Sequence, residues 1–501
     1  MKKFVIVGSG SAGLIAAGMI KTYWKDGVDI TVIHDKSQGS IAVGESTTPY
    51  IHAFLTFCGI SEKDLIRDLD VTIKLGINFK NWIPDTEYFH GFGQITGNNG
   101  WNQMRSSDPS ATYSMLNDVY SGGSLYNEPM TKVPTTIFDN FSHALHIDTR
   151  QFTDYLYEKL NGDIKFVDDV VTRVRVNTEC TKIESIECKY NGIFDADYFI
   201  DASGFNTILF KHLNPKWNDM SKYLPIDRAI PQQVPYDFKD ELPSYTLAEA
   251  TDNGWIWRIP IGDRYGTGYL YSSKFTSDEE AREKYNDWLV ENFDTELTSD
   301  RIIRYKPGYY EDYWMGNCLA VGLSSGFVEP LESTGIHIII KQIQEFITYN
   351  SNLKNLEFNR KSANIVNRDL YTDVVNFVAL HYNTNRTDSE FWRYITDSKL
   401  EWVKDVDQKI RQEFVDGTLF RNNPMGSLWT MDSYIQIANG LKMISKESIQ
   451  NHLNSKPEGN GVFYSGEQIL EVCKNMHDCE VSEKNNQVCL LYTSPSPRDL
   501  S

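Results

Sequence analysis

An apolar run, Lys3–Val7, ends at Gly8 and leads straight into Gly8-Ser9-Gly10-Ser11-Ala12-Gly13, a G-x-G-x-x-G turn followed by a small-residue helical pattern. No other stretch constrains the chain as tightly. Gly8 permits the tight turn, Gly10 lets the backbone approach a pyrophosphate, and Gly13 lets helix and strand pack closely. The helix start, with Ser11 and Ala12, offers free N–H groups to phosphate oxygens. A helix from Gly13 to about Trp24 and a second strand over Asp29–Ile33 complete the opening of a dinucleotide-binding unit. That second strand should end in an acid for the ribose hydroxyls. Here ITVI is followed by His34-Asp35, so the position falls on His34 and Asp35 comes one place late.

Two further segments, YFIDASGF (Tyr198–Phe205) and GNCLAVGLSSGFV (Gly316–Val328), each read as a strand running into a small-residue turn. Either alone is an ordinary glycine-rich turn. Three such turns in one chain favour a flavin over a nicotinamide, since small residues let a flat ring or a phosphate lie on the backbone. A net charge of −19 argues against nucleic acid or an anionic membrane as partner. No run of 18 apolar residues predicts a membrane helix, and the first residues are spent on a strand rather than a signal segment. The seven cysteines are scattered without paired spacing, which suits reduced thiols in a cytoplasmic protein. Cys473 and Cys479 flank His477, but no second ligand pair follows, so no metal is expected.

The pattern predicts an α/β, two-lobed chain: a Rossmann-like FAD-binding fold of the aromatic-monooxygenase type, with an inserted substrate lobe and a helical C-terminal part. The expected FAD-binding segments are 1–83, 146–210 and 301–350. A loop-like segment of the substrate lobe is expected at 84–145, a sheet of that lobe at 211–300 and its helices at 351–487. Residues 488–501 carry no core periodicity and resemble translated adapter sequence, so they are expected to be disordered and non-native.

Five motifs then appear in order. Val43-Gly44-Glu45-Ser46-Thr47-Thr48-Pro49 resembles the V-G-E-[AS]-T-x-P loop of flavin-dependent tryptophan halogenases. Lys74-Leu75-Gly76 resembles their K-L-G, and His90-Gly91-Phe92-Gly93 their H-x-F-G. WIWRIP (Trp255–Pro260) is similar to W-x-W-x-I-P, and FVEPLESTG (Phe327–Gly335) to F-x-x-P-x-x-S-x-G. HYNTNRTDSEFWRY (His381–Tyr394) also fits. The likeness covers most of the chain.

This resemblance implies an enzyme in which reduced FAD, O2 and chloride or bromide yield hypohalous acid, which halogenates an electron-rich aromatic ring. It implies Lys74 as the catalytic amine, which holds the oxidant or becomes a haloamine. Taken alone, such a residue would be read as a solvated surface lysine. Glu332 would accept the proton lost as the ring rearomatises, although an acid there also suits a helix dipole. Thr334 and Gly335, at the start of IHIIIKQIQEFI, would bind the halide. Val43, Gly44, Glu45, Ser46, Leu323 and Ile336 would adjoin the flavin, with Asp35 near its ribose. His90, Phe92, Ser333, Trp255 and Trp257 would line the substrate pocket. The two tryptophans alternate on a strand that Pro260 is expected to end, and core packing would equally account for them.

No separate nicotinamide fingerprint is present, so a partner flavin reductase is expected to supply FADH2. The substrate would be a small aromatic, free or carrier-bound, and Phe420–Leu441 is the segment expected to hold its other end. A homodimer is allowed. The rival readings are an aromatic monooxygenase of the same fold, which would hydroxylate without halide, and a non-catalytic FAD-binding protein.

Overall fold

The computed structural model describes residues 1–37, 44–92, 143–235, 243–262, 264–351, 356–398, 428–429 and 431–443. Val43, Gly93, Cys473, Cys479, His477, most of 84–144, much of Phe420–Leu441 and the tail from Leu490 lie outside them. The chain divides into two units, each built from separated segments. The first comprises Met1–Val71, Leu145–Gln233 and Thr267–Val378; the second comprises Thr72–Ala144, Val234–Gly266 and Ala379–Ser501.

In the first unit, Lys2–Val7 is the central strand of a six-stranded sheet. It pairs in parallel with Val28–His34 on one side and Tyr198–Asp201 on the other. Lys165–Asp168 and Cys318–Ala320 extend the parallel ladder outward, and Trp314–Met315 closes one edge antiparallel. Phe4–Val7 are buried without alternation, as a parallel strand covered on both faces requires. Phe4 and Ile6 join one apolar cluster, Val5 and Val7 another. The first cluster takes in Leu14, Ile15, Met19 and Ile20 of the helix Ser11–Trp24. It also holds Ile336, Ile339, Ile340 and Ile343 of the helix Gly335–Tyr349. Each such side chain contributes about 1.5–3 kcal/mol by leaving water. The first helix starts at Ser11, two residues before the expected Gly13, because Gly10 is its N-cap.

In the second unit, Gly76–Lys80 pairs antiparallel with Glu87–Gly91 and parallel with Tyr245–Thr251, which pairs antiparallel with Gly254–Ile261. Glu87–Gly91 is thus a strand inside a segment expected to be loop-like. Nor does Pro260 end its strand, which runs on to Ile261. The ladder with Tyr245–Thr251 stops at Arg258, so it asks no N–H of Pro260, whose carbonyl accepts from Thr72 Oγ1 at 2.7 Å. The motif HYNTNRTDSEFWRY serves as a brace. Arg386 lies 4.3 Å over the Trp392 ring, is paired with Asp388 and donates to the Asn81 carbonyl at 2.7 Å. No helix among the described residues is long and apolar enough to cross a membrane.

Candidate active site

The first unit builds its site from backbone turns at the ends of the parallel strands. Gly8 has φ +113°, and a Cβ there would lie 2.3 Å from the Ala202 carbonyl oxygen. Its N–H donates to Ile33 at 2.9 Å, tying the turn to the second strand. A Cβ at Gly13 would fall 1.9 Å from the Gly8 carbonyl oxygen, whereas one at Gly10 would meet no protein atom within 4 Å. Two of the three glycines are therefore demanded by packing, and the middle one leaves the backbone approachable. Ser11 Oγ, at the helix start, is buried with no hydrogen-bond partner among the described residues. Open backbone and a hydroxyl left for something other than protein fit a dinucleotide phosphate.

Asp201, in the second turn, is fully buried and structural. Its carboxylate accepts from the N–H groups of Ser203, Leu209 and Phe210 and from the hydroxyls of Ser203 and Ser324. Gln342 does the same for the third turn. It accepts from the Gly322 N–H and donates to Ser325 Oγ and Asn367 Oδ1. Gly322 has φ +60°, and a Cβ there would lie 2.9 Å from Ala12 Cβ, so the third turn packs against the first. Leu323 is half-buried in that turn, and Ile336 is buried in the core.

The Gly44–Pro49 loop and the Glu332–Gly335 turn meet, although far apart in sequence. Glu45 and Ser46 pair with Ile147 and His146, and Thr47 exchanges hydrogen bonds with the Leu145 backbone. Ser333 Oγ donates to Ser46 Oγ at 3.0 Å, and Thr48 Oγ1 shares a 2.9 Å hydrogen bond with His337 Nδ1. His337 stacks on Tyr50 with ring centroids 4.2 Å apart. Burial pushes the Glu45 carboxyl up to about 7 and holds His337 down at about 3. Glu332, Ser333 and Thr334 are buried, and Gly335 is exposed at the helix start. Ser333 holds φ +60°, a conformation that costs a non-glycine residue energy and persists only where its surroundings impose it. Glu332 closes a 3-10 turn, Pro330–Glu332, rather than lying inside the helix. Asp35 Oδ1 accepts from the Ser37 N–H at 2.9 Å and hydroxyl at 2.6 Å, so it is engaged in its own turn.

In the second unit Lys74 ends the buried strand Thr72–Lys74 and is itself 0% exposed. Its Nζ lies 5.1 Å from the centroid of the Phe92 ring. The K-L-G glycine has a steric reason: a Cβ at Gly76 would sit 2.3 Å from the His90 carbonyl oxygen and 2.5 Å from the Phe89 ring. The segments carrying Lys74 and His90 can therefore lie together only over glycine. Leu75 secures both sides, donating to the Ser244 carbonyl and accepting from the Phe92 N–H. Trp255 and Trp257 sit opposite Ala250 and Ala248, both buried. Gln436, on the helix Met431–Gly440, both donates to and accepts from the Gly91 backbone.

Sequence reasoning missed Asp201, Gln342, His337 and the Ser9–His34 pair as organising groups. The available signals were a polar residue within an apolar helix, an acid within an apolar strand, and His34 standing where the second strand should end in an acid.

A model of the tryptophan halogenase family matches residues 3–456. Tryptophan 7-halogenase RebH of Lentzea aerocolonigenes is 32% identical over 452 residues, 81% of this chain and 81% of the relative. Tryptophan 6-halogenase SttH of Streptomyces toxytricini is 31% identical over 442 residues, 81% of this chain and 82% of that one. The solved structure of Tar14, a tryptophan C-6 flavin-dependent halogenase (chlorinase) from taromycin biosynthesis, matches with a TM-score of 0.81 at 28% identity. It covers 98% of this chain and 100% of its own. The motifs, the fold and these likenesses agree: the chain belongs to the tryptophan halogenase family and is a flavin-dependent halogenase, an FAD-dependent oxidoreductase whose chemistry implies FAD, O2 and halide.

Proposed function

We propose that this chain takes reduced FAD from a separate flavin reductase and, with O2 and chloride or bromide, halogenates an electron-rich aromatic ring of indole, tryptophan-like or phenolic type. The observation that carries the reading is Lys74, a lysine with no exposed surface beside an aromatic ring. Enclosing an ammonium costs several kcal/mol, and a purely structural role on that strand would favour an apolar residue. An amine that must meet an electrophile away from water explains the placement.

Reduced flavin, when bound, would supply hypohalous acid together with O2 and halide. Gly8, Gly10, Ser11, Ala12 and Gly13 would hold its pyrophosphate, with Gly44, Glu45, Ser46, Leu323 and Ile336 around the rest. Thr334 and Gly335 would turn N–H groups toward the halide. Lys74 would donate to the hypohalous acid, or exchange a proton for halogen to give a haloamine and water, and so present electrophilic halogen to one ring carbon. The ring carbon would form its carbon–halogen bond as the oxygen–halogen or nitrogen–halogen bond breaks, the electron pair staying on oxygen, which takes the Lys74 proton to give water, or on the Lys74 nitrogen. The ring's own proton would then go to the Glu332 carboxylate. His90, Phe92, Trp255, Trp257 and Ser333 are assigned to the substrate.

Incubation with a flavin reductase, FAD, NADH and bromide, against a panel of indoles and phenols, tests the reading. The product should gain bromine in place of hydrogen, and only when bromide is present. Hydroxylated product without halide would make the chain a monooxygenase. Tight FAD binding with no product from any ring would make it a non-catalytic flavoprotein.

A further inference from the structure

His34 stands where a dinucleotide-binding strand usually ends in a carboxylate, and the structure gives that position a different chemistry. The imidazole is the last residue of Val28–His34, and its Nδ1 lies 2.9 Å from Ser9 Oγ in the glycine turn. Tyr157 and Phe166 pack against the imidazole, each with its ring centroid 6.0 Å away. Nε2 is buried with no hydrogen-bond partner among the described residues. Ser9, by contrast, is half-buried, beside the exposed Gly10.

These facts fix the direction of the bond. An N–H donor orphaned among aromatic rings is rarer and costlier than an under-used acceptor lone pair. Burial, the largest influence on the ring, holds the His34 pKa below its ordinary value, so the ring is neutral at pH 7. The single ring proton then belongs on Nδ1, which donates it to Ser9 Oγ. Ser9 in turn must send its own hydroxyl proton outward.

Resting on the flavin reading above, we propose that His34 is a positioning residue that makes Ser9 a fixed hydroxyl donor to a ribose or phosphate oxygen in the adenosine half of FAD, in place of the carboxylate acceptor. The neighbourhood gives a reason for the replacement. Asp168 lies opposite His34 in the parallel ladder and Asp35 follows it, and both act on the imidazole electrostatically, with the Lys36 cation acting beside them. A third carboxylate there would face two others and the pyrophosphate.

The test is FAD affinity, read by flavin fluorescence on protein whose folding is checked by circular dichroism. Ser9→Ala and His34→Phe should each weaken binding about tenfold, and the double variant no further, because both remove one hydrogen bond. His34→Asn, whose amide can donate from the Nδ1 position, should restore most of the affinity. Wild-type affinity in Ser9→Ala or His34→Phe overturns the inference, as do additive losses or failure of the asparagine to rescue. If the wild-type chain binds no FAD at all, the flavin reading falls and takes this inference with it.

Discussion

At the residue scale, the proposed chemistry rests first on Lys74 and Glu332, two charged side chains that are both buried. Lys74→Ala should abolish halogenation while FAD binding and O2 consumption stay near wild type, because Lys74 belongs to a different unit from the glycine turns. Halogenated product and oxygen uptake measured side by side decide this, and wild-type halogenation would make the lysine a bystander. Glu332→Gln should slow product formation without abolishing it, since an amide can orient the oxidant but is a poor base. Glu45 carries a pH signature. Its carboxyl is raised to about 7 in the fold. Between the unfolded carboxyl range and pH 7, the folded state therefore keeps a proton that the unfolded chain has lost. Stability should fall as pH rises through that window and level off above it. Relative to Glu45→Gln, the loss across that window is about 3 kcal/mol, from a carboxyl raised from 4.5 to about 7 at about 1.4 kcal/mol per pH unit. Apo-protein melting curves at pH 5, 6, 7 and 8 would check it, and parallel curves for the two proteins would refute the assignment.

At the scale of elements, the glycine turn separates packing from binding within six residues. Gly13→Ala must push a methyl into the Gly8 carbonyl and should lower the melting temperature by several degrees. Gly10→Trp meets no protein backbone at its Cβ, so the chain should fold, yet FAD binding should disappear because the side chain occupies the phosphate approach. Undiminished flavin affinity in that variant would remove the turn from the cofactor site. Gly76→Ala tests the K-L-G segment in the same way, and a destabilisation of about 1–3 kcal/mol is expected from the overlap with His90. Both glycine motifs were legible in the sequence. The division of the first motif into packing and access glycines was legible too, but the backbone that each glycine must admit was not, because it is brought from elsewhere: Ala202 against Gly8, and His90 against Gly76.

At the scale of the whole molecule, the chain crosses between its two units five times, among them inside strands near Ala144, Gln233 and Thr267 and inside the helix Leu356–His381 near Val378. No loop composition marks such a crossing, so periodicity alone cannot find it. Function at this scale depends on where the electrons come from. FADH2 generated photochemically, with no reductase present, should support bromination of a suitable indole as well as the enzymatic source does. Product mass spectra under the two supplies check this. Turnover by the chain alone with NADH and FAD would mean that it reduces its own flavin.

The sequence by itself determined the parallel sheet, the dinucleotide turn and the halogenase motifs, because apolar runs, glycines at fixed offsets and motif order are local properties. Only the tertiary structure decided what those residues touch. It made Asp201 a hub for five donors, placed Lys74 where no water reaches it, and set Ser46 against Ser333 and Thr48 against His337. The physical reason is that burial and hydrogen-bond satisfaction belong to pairs of groups distant in sequence, and such pairs exist only once the chain has closed on itself.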